Sequence, residues 1–433
     1  MRASPSRRVR AILLAAGAAI FLPAHTESLD DVRKARDYLA QARTAREAKD
    51  APTYLRLMQE AARARPDQPG IAYRLAGASA QNGDAAAASR LLERLAAMGL
   101  FFGAERDPDF VPVHDDASFQ AAVAKLNANR AAKAVSAAAF ELPDRDFIPE
   151  GIDYDPQTKT FFVASVYQRR IVARHDDGTI AAFGGGADDG LWSVIALRVD
   201  AVRRVLWVSS AAIEQTRGAD PADLGRTAIF KYDLKTGKLL RRFEPPRIKE
   251  PRIFGDLALT SSGKLYISDA EQGGIWRIAD DALTELLPPG TFASPQGMAF
   301  PERGNWMYVA DYSLGLLRID VVTRKVEYLD APPDTMLLGL DGMVRHGNAL
   351  IATQNGINPH RVVRIDLDAQ GKVARLAVLE QSHPRYDEPT LGTVVGDNFF
   401  YVANSQWGRF EDGKLPPVEQ LKGPVILKLP LAK

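Results

Sequence analysis

A short apolar run ending in a small or polar residue returns six times along the chain, and nothing else constrains the fold as much. Phe161-Phe162-Val163-Ala164-Ser165, Met307-Tyr308-Val309-Ala310-Asp311 and Phe400-Tyr401-Val402-Ala403-Asn404 are three copies; the others start at Leu206, Leu265 and Leu350. A repeat of about 40–50 residues that is rich in β-branched and aromatic residues belongs to a propeller or a solenoid. A second apolar run precedes each copy, a third follows it (Gly274-Ile275-Trp276-Arg277-Ile278), and a more polar fourth often closes the unit (Val326-Glu327-Tyr328-Leu329). Four strands per unit define a propeller blade. The expected fold is therefore mainly β, a six-bladed propeller over residues 131–433.

The sixth unit supplies only three strands from Leu391 onward, which would leave an edge exposed. Ala139-Phe140-Glu141-Leu142-Pro143 alternates like a strand, and the expectation is that it completes the sixth blade beside Val425-Ile426-Leu427-Lys428-Leu429. Ala211 to Thr227 and Gln406 to Gly423 are insertions, and loops of that length are commonly functional or mobile.

Six blades use about 300 residues, so the 433-residue chain holds something more. Leu29 to Ala97 is rich in Ala, Leu, Arg and Glu and reads as helix. Lys49-Asp50 aligns with Gly83-Asp84, and Leu75, Gly83, Ala88 and Leu92 resemble tetratricopeptide positions, which predicts a small helical domain over 25–130. Its role is either packing against the propeller or a groove for a protein partner. Arg2, Arg7, Arg8 and Arg10 before an apolar Ala11–Leu22 run predict a signal peptide over 1–24 and a periplasmic or secreted protein, with no stable membrane span after cleavage. A net charge of +1 without a long single-sign run argues against a nucleic-acid-binding surface or a polybasic membrane anchor. The absence of cysteine excludes disulfides, thiolate metal sites and a cysteine nucleophile.

In a propeller the residues that open each innermost strand surround one mouth of the central channel. Here they are Glu150, Trp192-Ser193, Gly255-Asp256, Gln296, Asp341 and Glu388. Three of them, in Glu150-Gly151, Gln296-Gly297 and Asp341-Gly342, pair an oxygen-bearing side chain with glycine. Either each merely ends a turn, or together they form an oxygen-rich ring suited to a hard cation such as Ca²⁺.

Pro149-Glu150-Gly151, Ser294-Pro295-Gln296-Gly297-Met298-Ala299-Phe300 and Leu340-Asp341-Gly342-Met343 resemble the gluconolactonase, senescence-marker-protein and regucalcin family of six-bladed propellers. The resemblance covers about residues 140–433. It implies lactone or ester hydrolysis, with a divalent metal, Ca²⁺ first, held by Glu150, Gln296 and Asp341. Asp341 is then the expected base, with Asp256 as the alternative. The family's substrate-holding Arg and Asn are absent from Ile253-Phe254-Gly255-Asp256, so the expected substrate is a lactone or ester less polar than a sugar lactone, walled by Trp192, Phe254 and Trp407. The alternative is a non-catalytic binding scaffold carried with a helical adaptor. No Gly-x-Ser-x-Gly elbow or His-Glu-x-x-His pair offers other hydrolytic chemistry.

Overall fold

Each of the six apolar runs forms the second strand of a four-stranded antiparallel sheet, and the six sheets are the blades of a propeller. The computed structural model describes residues 28–302 and 304–431, so the expected signal peptide and the start near His25 lie outside the described residues. Second strands such as Thr160–Ser165 and Ala349–Gln354 are buried along their whole length. Blades stack face to face, so a central strand is covered on both sides and reads as one continuous apolar run. Outer strands such as Ala282–Leu287 have solvent-facing positions and are more polar.

The ring closes as expected. Ala137–Glu141 is the outermost strand of the sixth sheet, antiparallel to Val425–Pro430, with Ala137 opposite Lys428 and Glu141 opposite Val425. Just before it, Glu380 of blade five, fully buried, accepts from the amides of Val135 (2.7 Å) and Ser136 (2.8 Å) and so pins the incoming chain.

Among the described residues, the N-terminal part has five α-helices: α1 (Leu29–Glu47), α2 (Ala51–Ala64), α3 (Pro69–Gln81), α4 (Ala85–Ala97) and α5 (Ala117–Ala128). The turns of the two hairpins repeat each other. Lys49 and Gly83 both take left-handed φ values, 57° and 78°, and the following Asp50 and Asp84 cap α2 and α4 through Thr53 N (3.1 Å) and Ala87 N (2.9 Å). Among the described residues no helix is long and apolar enough to cross a membrane.

The helices share a core with the propeller. Leu92, Leu95, Leu100, Phe110 and Phe119 cluster with Met336, Leu338 and Ile357 from loops of blades four and five. Phe101 N donates to Asn358 O (2.7 Å), and buried Arg361 donates to Met98 O (3.2 Å) and to Gln354 Oε1 (2.7 Å). Packing against the propeller is thus one role the helices fill.

A candidate active site at the channel mouth

Antiparallel blades place the start of every inner strand and every loop between second and third strands on the same face of the ring. On this face the inner strands of blades one, three, four and five carry a register shift within their first residues: between Pro149 and Ile152, Phe254 and Leu257, Pro295 and Met298, and Leu340 and Met343. Glu150, Asp256, Gln296 and Asp341 sit inside these irregularities, which take a side chain out of the sheet's alternation and re-aim it.

The glycines that follow are required by packing between blades, which is more than ending a turn. A methyl group on Gly151 would lie 2.9 Å from Ala196 Cα, one on Gly342 would lie 2.8 Å from Leu391 Cα, and one on Gly297 would collide with the Asp341 carbonyl. The bulges at Glu150, Gln296 and Asp341 therefore press backbone on backbone against the next blade, and the acid or amide beside each glycine is held where it stands.

Fixed donors then orient the carboxylates. Trp407 Nε1 donates to Glu150 Oε2 at 2.7 Å. Asn355 Nδ2 donates to Asp341 Oδ2 at 2.7 Å and to Pro389 O at 3.0 Å, while Tyr312 OH donates to Asn355 Oδ1 at 3.1 Å. Glu388, at φ 69°, receives Gly408 N on Oε2 at 3.2 Å. Gln296 spends Nε2 on Ser294 Oγ (3.0 Å), which leaves its carbonyl oxygen near Gly255.

Charge is concentrated and uncompensated here. Among the described residues, no Lys, Arg or His forms an ion pair with Glu150, Asp341 or Glu388. Burial pushes Glu150 well above the usual carboxylate range, Asp341 adds to the rise, and the Trp407 bond partly opposes it. Burial likewise pushes Asp341 up to about 7; Asn355 opposes the shift, and Asp256 and Glu388 add to it. Glu388 is raised, mainly by burial. Tyr312 is raised by burial, with Asp341, Glu388 and Glu150 adding to the rise.

The remaining expected residues separate into two groups. Asp256 opens onto the same channel but is tied to Arg198 at 3.0 Å and to the Leu257 amide at 2.7 Å, so it is neutralised in a way Asp341 is not. Trp192 and Phe254 correct the expected apolar wall. Trp192 is buried between blades one and two, donating to Asp223 at 3.1 Å under Arg226 and Arg242. Phe254 is wholly buried between blades two and three against Trp276. Both precede the point where their strands turn into the mouth, so their side chains fall into the cores between blades, and of the three expected aromatics only Trp407 reaches the carboxylates.

Asn355 and Tyr312 were not singled out from the sequence. Each is the first residue after its repeat, following Gln354 and Asp311, and alignment of the repeats by their last residue would have placed both at the mouth.

The donor chemistry fits a hard cation: Glu150, Asp341 and Gln296 offer only oxygen, and the two acids lack a basic partner. Among the described residues, however, no three or more His, Asp or Glu side chains are gathered as a ready-made metal cluster.

The fold and mouth define a six-bladed propeller with an acidic axial site. No protein-family profile and no curated protein matches the chain. Solved structures similar to it include a luciferin-regenerating enzyme (15% identity, TM-score 0.49, 69% of this chain and 96% of that one). A calcium-binding protein, regucalcin, from Agrobacterium tumefaciens aligns at 17% identity with TM-score 0.48 over 69% of this chain and 95% of that one. A gluconolactonase from Xanthomonas campestris aligns at 15% with TM-score 0.45 over 67% and 89%. At these identities the likeness is one of fold.

Proposed function

We propose that the chain is a lactone or ester hydrolase working at the acidic mouth, assisted by a divalent metal, Ca²⁺ first, that Glu150, Gln296 and Asp341 would hold. The observation that carries this reading is the set of mouth carboxylates without basic partners, Glu150 buried and Asp341 and Glu388 half-buried, oriented by Trp407 and Asn355. When bound, a divalent cation would polarise the substrate carbonyl and make water more acidic. Asn355 occupies one oxygen of Asp341 and leaves the other to accept a proton. As water oxygen bonds to the acyl carbon, its proton passes to Asp341; as the acyl–oxygen bond breaks, Asp341 returns that proton to the leaving alkoxide, for a net addition of water.

The test is calorimetry with Ca²⁺, Mg²⁺, Mn²⁺ and Zn²⁺ on chelated protein, with hydrolysis of sugar lactones, aliphatic lactones and aryl esters by wild type and Asp341→Asn. Heat with at least one metal and turnover lost in the variant are expected. Equal background rates for both proteins would overturn the reading.

One observation favours a second reading, a non-catalytic binding propeller: the helices are seated on the same face as the mouth, where an adaptor for a protein partner would stand. Metal or ligand binding without turnover of any lactone or ester would support it. Export to the periplasm or beyond belongs to the same proposal and rests on the basic start and the apolar Ala11–Leu22 run. Intact-mass analysis should find a mature chain beginning near His25.

A further inference from the structure

The insertions of blades two and six rise from the face of the mouth and meet over blade one. A methyl group on Gly413 of the blade-six loop would stand 2.9 Å from the Glu214 carbonyl of the blade-two loop. Under this junction three aromatic rings follow one another. Tyr167, in the loop after the second strand of blade one, has its ring centre 6.2 Å from that of Phe410, and Phe410 is 6.1 Å from Trp407. The Arg217 guanidinium lies 5.7 Å over Tyr167 and closes the far end. At the near end Trp407 donates to Glu150.

The rings differ from the aromatics packed in the cores between blades. Phe147, Phe230, Phe254 and Phe399 are almost wholly buried, whereas Tyr167, Phe410 and Trp407 are each half-buried. Tilted ring pairs at this spacing stabilise one another. The strip is therefore a stiff apolar surface that leads from solvent to the carboxylates and costs little conformational entropy to use.

We propose that this strip is a subsite for the aromatic portion of the substrate, so that the site takes aryl esters or benzo-fused lactones. The inference rests on the hydrolase reading above and adds the substrate class. A flat ring laid on Phe410 and Tyr167 meets aromatic faces at the angles these rings already use among themselves. A carbonyl attached to it would extend past Trp407 to Glu150 and Asp341. A sugar ring, dense in hydroxyls, would bury donors against Phe410 and Tyr167 with nothing to receive them.

The experiment compares dihydrocoumarin and phenyl acetate with δ-valerolactone and ethyl acetate. Aryl esters are intrinsically more reactive, so the informative quantity is the change in the aromatic-to-aliphatic ratio of kcat/KM between wild type and variant. Phe410→Ala should lower that ratio about tenfold, mainly through KM for the aromatic substrates. Phe410→Leu, which keeps apolar volume in the loop, should lower it in the same direction if the alanine variant does not fold. An unchanged ratio in a folded variant, with turnover of both classes intact, would overturn the subsite and leave the hydrolase reading standing. If no substrate is turned over, the hydrolase reading fails by itself, and saturation-transfer NMR with dihydrocoumarin decides the subsite. Saturation in wild type that is lost in Phe410→Ala would uphold it, and absent or equal saturation would overturn it.

Discussion

Asn355 Nδ2 stands 2.7 Å from Asp341 Oδ2, and the two residues belong to the second-to-third-strand loop and the inner strand of the same blade. The loop that Asn355 opens is also the one the helices hold, through Ile357 in their core and Asn358 O on the Phe101 amide. The orientation of the candidate base is thus linked by three residues of chain to the helical part of the molecule.

Removing that bond should raise the pKa of Asp341 further, because Asn355 is the group that opposes its rise. In Asn355→Ala the acidic limb of a kcat/KM profile should move to higher pH, and carboxyl-carbon NMR of Asp341 should titrate at higher pH than in wild type. A profile that stays in place would show that the bond does not act on the base.

Stability of the metal-free protein should fall as pH rises. The folded pKa of Asp341 lies at about 7, above its ordinary 3.8, so the native state holds this proton more tightly than the unfolded chain. The associated stability is complete below about pH 4 and is lost as pH passes through about 7, in all on the order of 2 kcal/mol after solvent screening. Asp341→Asn should flatten the dependence between pH 5 and pH 8 in thermal melts. A cation should act in the opposite sense, adding about 2.7 kcal/mol at one hundred times its Kd and more at pH 8 than at pH 5.

Gly342→Ala should destabilise the fold by about 1–3 kcal/mol, because the new methyl meets Leu391 backbone at 2.8 Å and one blade must yield to it. Any metal or ligand affinity at the mouth should fall with it, since Asp341 sits in the same bulge. Chemical denaturation and calorimetry on the one variant test both outcomes.

Arg361→Met should cost about 2–4 kcal/mol in urea unfolding, because Gln354 Oε1 and Met98 O both lose a buried donor. The Arg361 guanidinium is itself lowered to about 10 by burial, so its place depends on those two acceptors. An unchanged midpoint would mean that the contact between helices and propeller is held by the apolar cluster alone.

The six blades, the closing strand at Phe140 and the position of Glu150, Gln296 and Asp341 at the start of inner strands were all legible in the chain. Each is a local matter: period, alternation and a polar residue beside glycine are written in consecutive residues. Two helix hairpins were legible as well, through turns at Lys49-Asp50 and Gly83-Asp84 that cap in the same way. Which aromatics reach the mouth depends on how the strands and loops come together in space. Trp192, Phe254 and Trp407 are alike in sequence, but the first two lie ahead of their strands' turn into the channel and fall between blades, while a long loop carries the third back over blade one. Asn355 and Tyr312 became site residues because antiparallel blades return their second strands to the face where the inner strands begin. The uncompensated charge, too, was a tertiary fact: acids from blades one, five and six share low-dielectric space that no linear neighbourhood displays, and Asp256 differs from them only because Arg198, far away in the chain, turns to meet it.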